Sequence, residues 1–331
     1  MVSFQKEPRF QTIIGLEIHA QLDIATKLFS SAPTSSTSGT TRSHAPNTLV
    51  HPLDVAVPGF LPRCSQSAVH AAVLTAAALQ CDIATVSRFE RKHYHYADSP
   101  FGYQVTQQRW PIAKNGILSS RSWAPMDVKE KQKQKQSKDP RDAHADNEMV
   151  VGINRIQLEQ DTGKTTTTTT TKNGSTVTRS LVDFNRAGCA LVEIVMNPDI
   201  RSSKQASETV ETLRQLLKHI GTCNGKMEEG SLRVDLNVSI HPIDDAFVPN
   251  IKNRVEVKNL NSLRQVQQAA EYEAIRQAKT ISLDPSTTFQ ETRTFHVKSG
   301  KTILIRSKEG EEDYRFMPEP DIPPVVLNAQ V

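Results

Sequence analysis

The chain has 331 residues, enough for one large or two ordinary domains with a hydrophobic core. Its net charge of +4 is compatible with an anionic partner such as RNA but does not by itself indicate one. The cysteines are widely spaced and form no Cys-x-x-Cys, so they predict neither a zinc site nor a disulfide framework. No apolar run approaches the ~18 residues of a membrane-spanning helix, so no membrane span is expected.

The first predicted strand, IIGLEIHAQL (13–22), alternates between apolar and polar side chains. Because successive side chains of a strand point to opposite faces, Glu17 and His19 should share the face opposite the core. The pattern recurs in GINRIQLEQD (152–161), LVEIVM (191–196), RVDLNVSI (233–240) and RVEVKN (254–259). These segments add five carboxylates to their polar faces: Glu159, Asp161, Glu193, Asp235 and Glu256.

Three helices are predicted, at 65–81, 203–220 and 261–279. The first is rich in alanine, and nearly all its positions are small or apolar, so it is expected to be buried. The second begins at a cap on Ser202 or Ser203 and stops at Gly221.

Two polar segments are expected to be disordered insertions, at about 120–148 and 164–178. The first is charged and repetitive, and the second contains a run of threonines. Neither offers the apolar side chains that would hold it against a core.

If the five alternating strands share one sheet, their acidic side chains would repel one another unless a cation lies between them. Carboxylate oxygens with a single imidazole suit a hard cation such as Mg²⁺ better than zinc. Mg²⁺ keeps positions open for water or phosphates, which favours a site that uses ATP. Two alternatives remain open at this point: each strand is an ordinary half-solvated strand, or the strands lie in different sheets.

Eight segments, in order from about residue 12 to 327, resemble the B subunit of the tRNA-dependent amidotransferases. The resemblance is to the version that makes Gln-tRNA from misacylated Glu-tRNA. The segments are IIGLEIHAQL, FERKHYHYADSPFGYQVTQ, QLEQDTGK, LVDFNRAG, LVEIVMNPDIRS, KMEEGSLRVDLNVS, VEVKNLNS and DYRFMPEPDIPP.

The resemblance implies an α+β catalytic domain over residues 1–327. This domain would be a cradle built on an antiparallel sheet, similar in its core to glutamine synthetase and guanidino kinases. It implies an ATP- and Mg²⁺-dependent ligase that phosphorylates the γ-carboxylate of Glu-tRNA(Gln) and lets ammonia displace the phosphate. The implied partners are an amidase (A) subunit that supplies the ammonia, a small third subunit and the misacylated tRNA.

The resemblance also assigns roles to individual residues, which we treat as predictions. The implied metal ligands are Glu17, His19, Glu159, Asp235 and Glu256. The implied ATP-binding residues are Arg233, Asn237 and Lys258. The implied catalytic residues are Lys92, Glu159, Glu193 and Lys258.

The sequence departs from the family pattern in three respects. Many members carry a four-cysteine zinc knuckle, whose positions here are Ser30, Ala32, His51 and Asp54, so no zinc is expected. The second glutamate of a shared acidic motif, which is associated with the ammonia path, is Gln160. Members continue into a helical and a tail domain that grip the tRNA, which are expected to be absent here. The polar insertions and Gln160 resemble mitochondrial members.

A second hypothesis is a non-catalytic scaffold that docks the amidase subunit without performing the transfer. The clustered acids and imidazole favour the enzyme, because a scaffold has no physical need for them.

Overall fold

Nine strands form the largest sheet of the computed structural model, which describes residues 10–35, 44–121, 148–172, 175–242, 254–284, 286–307 and 314–328. The predicted α+β class is confirmed, since the described residues form three α-helices besides this sheet and three smaller sheets. Within the described ranges, no helix combines the length and apolar character that spanning a bilayer requires.

The structure defines sixteen strands and three α-helices within the described ranges. The strands are β1 (Phe10–Gln21), β2 (Asp82–Ile83), β3 (Val86–Ser87), β4 (Glu90–His93), β5 (Tyr103–Thr106), β6 (Ala113–Arg121), β7 (Glu148–Gln160), β8 (Lys164–Lys172), β9 (Ser175–Asp183), β10 (Ala190–Met196), β11 (Leu232–Pro242), β12 (Arg254–Leu260), β13 (Gln290–His296), β14 (Lys301–Ser307), β15 (Met317–Pro318) and β16 (Val325–Val326). The helices are α1 (Gln66–Ala78), α2 (Ser203–His219) and α3 (Leu263–Leu283).

The large sheet has the order β14-β13-β12-β11-β1-β10-β7-β6-β2. Neighbouring strands are antiparallel except β12 and β13, which are parallel. Helix α3 connects these two strands, as a parallel pair requires a long crossover. The three smaller sheets are β15-β4-β5, β16-β3 and β8-β9.

One face of the large sheet is aliphatic and forms the core with the helices. Ile14, Leu16, Ile18 and Ala20 alternate along β1, and all four are fully buried. Matching aliphatic side chains of β7, β10, β11 and β12 join them in one cluster with apolar residues of α1, α2 and α3. This one-sided burial fixes the register, because a slip of one residue would move every aliphatic side chain to the polar face.

The predicted helices are confirmed, with two differences. Helix α1 is not buried all round: it buries Ala68, Ala71, Ala72, Thr75 and Ala76 but leaves its opposite face exposed. The exposed positions are Gln66, Ser67, His70, Leu74 and Ala77, so polar residues mark that face and most alanines lie on the buried one. Helix α3 runs past residue 279, because Ile281 still packs into the core and no glycine or proline stops the helix there.

The expectation of disorder at about 164–178 differs from the structure, in which β8 and β9 pair as an antiparallel hairpin. Threonine is β-branched and favours extended backbone, and threonines meet across the strands. The Oγ1 atoms of Thr169 and Thr178, for example, lie 3.4 Å apart. Most of the other expected insertion, residues 122–147, lies outside the described residues.

We expect Ser262→Ala to destabilise the protein by about 1 kcal/mol, because it removes the N-cap of α3. The Ser262 hydroxyl accepts a hydrogen bond from the backbone N–H of Gln265 at 3.2 Å. Urea unfolding of the full chain measures the change. Ser282→Ala is the matched control, since that exposed hydroxyl only donates to the Ala278 carbonyl within the last turn. Equal stability of wild type and Ser262→Ala would contradict the assigned cap.

Candidate functional site

The alternating strands lie side by side in the large sheet in the order β12-β11-β1-β10-β7. The prediction that their polar residues share one face is therefore confirmed. On β1, His19 lies opposite Arg233 of β11 and Glu193 of β10. The other facing pairs are Glu17 with Asp235, Asn237 with Glu256, and Leu191 with Glu159.

A cavity of about 850 Å³ opens over this polar face. Its lining includes six of the predicted site residues: His19, Lys92, Glu159, Arg233, Asp235 and Lys258. Glu17, Glu193, Asn237 and Glu256 are not among its lining residues. The volume is in the range of protein sites that enclose small molecules.

The structure brings His19, Glu159 and Glu193 together as a tight group that could hold a metal ion. Their ligand atoms all lie within 4.8 Å of one another. Glu159 is 4% exposed and Glu193 is 7% exposed. Within the described residues, the predicted five-ligand set is thus divided, and Glu193, predicted to be catalytic, joins His19 and Glu159. We call these three residues the His19 cluster.

The two carboxyl groups of the His19 cluster have raised pKa values. Burial, together with the charge of Glu193, raises the pKa of Glu159 to about 7, although Lys92 and His19 act in the opposite direction. Burial and the charge of Glu17 raise the pKa of Glu193. Burial and the neighbouring negative charges therefore outweigh the nearby positive charge, and a bound divalent cation would add to that positive charge.

The remaining predicted metal ligands form a second group around Lys258. The Lys258 Nζ lies 3.2 Å from Glu256 Oε1 and 3.6 Å from Asp235 Oδ2. Burial would lower the pKa of Lys258, but these two carboxylates outweigh that effect and raise it. In this group a lysine already supplies the positive charge that the sequence interpretation assigned to a metal ion.

The polar side chains around the second group are also tied down. Asp235 accepts a hydrogen bond from the backbone N–H of Asn259 at 2.9 Å. Asn237 donates to Glu17 Oε1 at 3.1 Å, and its own Oδ1 is buried without a hydrogen-bond partner. Such an orphaned acceptor is rare in a folded protein, and Asn237 does not line the cavity.

Two predicted cationic residues line the cavity from different strands, Lys92 from β4 and Arg233 from β11. Arg233 makes two hydrogen bonds to Asp161, at 3.0 and 3.2 Å, which fix its guanidinium plane. Lys92, on β4, points its ammonium over the rings of Tyr314 at 4.9 Å and Tyr94 at 5.9 Å. These contacts hold Lys92 at the wall without neutralising it by a paired acid.

Sequence reasoning missed Asp161 as the partner of Arg233. It also missed the glutamines Gln104 and Gln157, which hold the carboxylates of Glu159 and Glu193. Gln157 and Asp161 do lie on the predicted polar face of GINRIQLEQD, so alternation carried that signal. Gln104 lies in a four-residue strand that is too short for alternation to detect.

At the positions of the family's zinc knuckle, the structure shows a buried ion pair. Lys27 Nζ lies 2.8 Å from Asp54 Oδ2, and Lys27 is fully buried. Ser30 and the backbone N–H of His51 also donate to Asp54, each at 2.9 Å. Asp54 therefore accepts hydrogen bonds from three protein donors.

We expect the metal-free protein to lose stability as pH rises from about 5 to about 8. The raised pKa means that folded Glu159 holds a proton that the unfolded chain releases above about 4.3, so the unfolded state gains over this window. Glu193 acts in the same direction. Thermal unfolding across this range tests the prediction, and Glu159→Gln should flatten the profile. An identical pH dependence in wild type and Glu159→Gln would contradict it.

Comparison with known proteins adds independent information. Residues 12–331 match the family described as "GatB/GatE catalytic domain". The mitochondrial B subunit of the glutamyl-tRNA(Gln) amidotransferase of Phytophthora infestans is 41% identical over 97% of the chain and 61% of that protein. The mitochondrial B subunits of Danio rerio and Homo sapiens are each 42% identical over 97% of the chain and 52% of their own length.

The chain thus spans 52–61% of the length of these relatives. The family match covers nearly the whole chain, including every residue of the His19 cluster and of the group around Lys258. These findings and the strand arrangement agree, and the chain belongs to the GatB/GatE family through its catalytic domain.

Proposed function

We propose that the chain is the catalytic domain of the B subunit of a glutamyl-tRNA(Gln) amidotransferase. It would phosphorylate the γ-carboxylate of misacylated Glu-tRNA(Gln) with ATP and then exchange the phosphate for ammonia. The observation that carries this proposal is the buried, undercompensated His19 cluster beside a cavity of about 850 Å³. A docking surface would not need such a cluster. Phosphoryl transfer requires concentrated positive charge beside the phosphates, which a cation bound by the cluster would supply.

His19, Glu159 and Glu193 fit a hard divalent cation, because they offer two carboxylates and one imidazole within 4.8 Å of one another. They would hold Mg²⁺, which neutralises phosphate charge when it is bound. Glu17, Asp235 and Glu256 are proposed as a second set of ligands. That role requires the ammonium of Lys258 to turn away from Asp235 and Glu256.

Arg233 and Lys258 would bind the anionic phosphates of ATP from the β11–β12 side of the cavity. Lys258 can do so because about a third of its side chain (35%) is exposed at the cavity. Arg233 is held by Asp161 through two of its nitrogen atoms, which presets the guanidinium orientation before an anion arrives. Asn237 does not line the cavity, and its unpartnered Oδ1 is an acceptor, so it is assigned no direct contact with the phosphates.

The proposed reaction has two balanced steps. An oxygen of the substrate γ-carboxylate attacks the γ-phosphorus of ATP, and ADP leaves. Ammonia then attacks the acyl carbon, inorganic phosphate leaves, and the nitrogen loses a proton. Lys92, held between two tyrosine rings at the cavity wall, would stabilise the negative charge of the acyl phosphate.

The same proposal includes partners and location. An amidase subunit would release the ammonia, a small third subunit would complete the complex, and the reaction would take place in mitochondria. The support is that the relatives from Phytophthora infestans, Danio rerio and Homo sapiens are named as mitochondrial B subunits. A cradle fold similar to glutamine synthetase and guanidino kinases also belongs to the proposal.

The enzyme and scaffold hypotheses differ in what Asp235→Asn and Glu256→Gln should do. We expect each change to lower tRNA-dependent ATP turnover roughly 10–100-fold. Both carboxylates orient Lys258, and both belong to the proposed second set of ligands. ADP release by the chain co-expressed with its amidase subunit measures this. Asp284→Asn, at an exposed position after α3, is the control. Turnover that survives both changes would overturn the enzyme proposal, whereas a scaffold should lose nothing.

A further inference from the structure

A buried glutamine, Gln104 of β5, lies behind Glu159. Its Nε2 donates to Glu159 Oε1 at 2.6 Å and to the backbone oxygen of Gln160 at 2.7 Å. Its Oε1 accepts a hydrogen bond from the Tyr94 hydroxyl at 2.8 Å. All three contacts agree on one orientation of the amide, because a flipped amide would set its oxygen against two other acceptors.

The Tyr94 phenol reinforces this orientation. Burial, together with the charges of Glu159 and Asp161, raises the pKa of Tyr94, so the phenol keeps its proton and acts as a donor. Hydroxyl, amide and carboxylate therefore form a directed relay in which Tyr94 fixes Gln104, and Gln104 fixes one oxygen of Glu159.

A second glutamine repeats the arrangement behind Glu193. Gln157 of β7 donates from Nε2 to Glu193 Oε2 at 2.6 Å and to Thr106 Oγ1 at 3.1 Å. Its Oε1 accepts from Arg155 Nε at 2.9 Å. Gln157 is also buried, at 2% exposed. Its orientation is fixed by contacts of both its amide nitrogen and its amide oxygen.

The choice of amides has a physical consequence. An amide orients a carboxylate without cancelling its charge, whereas a lysine or arginine in the same place would compete with a bound cation. The neighbouring group shows the contrast, because Lys258 itself provides positive charge to Asp235 and Glu256. Gln104 and Gln157 hold the His19 cluster in place and add no positive charge to it.

We infer that Gln104 and Gln157 are positioning residues that fix Glu159 and Glu193 for a divalent cation, an inference that rests on the proposed function. Each glutamine donates to one carboxylate oxygen, Gln104 to Glu159 Oε1 and Gln157 to Glu193 Oε2. Loss of either amide should therefore weaken cation binding rather than abolish the fold.

The test is the affinity of the full chain for Mn²⁺, measured by electron paramagnetic resonance together with the thermal midpoint Tm. The variants are Gln104→Met and Gln157→Met, which keep the side-chain volume and remove the amide. Gln107→Met is the matched control. Gln107 is equally buried and accepts from the backbone N–H of Leu158 at 3.0 Å, but its amide contacts no member of the His19 cluster.

We expect Gln104→Met and Gln157→Met to weaken Mn²⁺ binding roughly 10–100-fold. Gln107→Met should lower Tm without changing the affinity, which separates positioning from general stability. Tyr94→Phe keeps the ring and removes only the hydroxyl that donates to Gln104, so it should weaken Mn²⁺ binding less than Gln104→Met does. It replaces Gln104→Met as the test variant if that variant does not fold.

Folded Gln104→Met and Gln157→Met proteins that bind Mn²⁺ as wild type does would overturn the inference and leave the proposed function standing. Unchanged affinity in Tyr94→Phe would overturn the relay through Gln104. If the wild type itself bound no Mn²⁺, the proposed cation site would fail, and this inference would fail with it.

Discussion

Glu159→Gln is expected to lower tRNA-dependent ATP turnover by roughly 10²–10³-fold, the largest effect on activity that we predict. The change keeps the shape of the side chain and removes the negative charge from the centre of the His19 cluster. Glu159 accepts a hydrogen bond from Gln104 and lines the cavity, so its carboxylate is held where a cation or substrate would bind. Mn²⁺ binding should fall together with turnover, because the same carboxylate serves both.

The measurement is ADP release by wild type and Glu159→Gln at saturating ATP and tRNA. Glu228→Gln is the control, since that glutamate is exposed in a turn away from the cavity lining. Because removing a buried charge can stabilise the metal-free fold, a loss of activity with equal or higher Tm would identify a role in the reaction. Activity within the range of the control would show that Glu159 is not part of the machinery.

Lys27→Met is expected to destabilise the protein by about 3–5 kcal/mol, the largest effect on stability that we predict. Lys27 is fully buried, and its ammonium lies 2.8 Å from Asp54. Its Nζ also lies 3.3 Å from the backbone oxygen of Phe184. Without the lysine, Asp54 would be an uncompensated charge in the interior, with only Ser30 and backbone donors left to it.

Urea unfolding of the full chain measures this change. The double variant Lys27→Met/Asp54→Asn should recover part of the loss, because the asparagine keeps an acceptor for Ser30 without a buried charge. If the single and double variants lost the same stability, the effect would come from packing around Lys27 and not from its ion pair. A single variant as stable as wild type would contradict the assignment altogether.

Strict alternation made the polar face predictable from the sequence. From Ile14 to Ala20 of β1 and from Leu232 to Ile240 of β11, every second residue is aliphatic and buried. The residues between them, among them Glu17, His19 and Asp235, therefore lie on the opposite face. Alternation along each strand says which face a residue takes but not which strands are neighbours. The resemblance to a family implied an antiparallel sheet but no strand order, and the structure gives that order as β12-β11-β1-β10-β7 for these strands.

The finer contents of the site could not be read in this way. Whether a carboxylate meets a metal, a lysine or a glutamine depends on distances of a few ångströms between strands far apart in sequence. Lys258 was predicted to contact phosphate, yet in the structure it pairs with Asp235 and Glu256. Gln104 lies 55 residues from Glu159 along the chain, and no local pattern links the two.

The departures in secondary structure have a local physical origin. The sequence of residues 164–178 lacks core-forming side chains, which favoured disorder, but backbone pairing between β8 and β9 needs no core. Helix α1 is a second case, since its exposed face includes Leu74 and Ala77 beside Gln66, Ser67 and His70, which weakens the contrast with the alanines of the buried face. In both places the hydrophobic pattern contains too little contrast to predict the outcome.

The most direct test of the proposed function is tRNA-dependent ATP hydrolysis by this chain, co-expressed with its amidase subunit and supplied with Mg²⁺, glutamine and misacylated Glu-tRNA(Gln). Formation of ADP together with Gln-tRNA(Gln) is the predicted result, and it should depend on Glu159. No tRNA-dependent ADP at saturating tRNA, in a complex that is folded and binds Mn²⁺, would contradict the proposed catalysis by this chain.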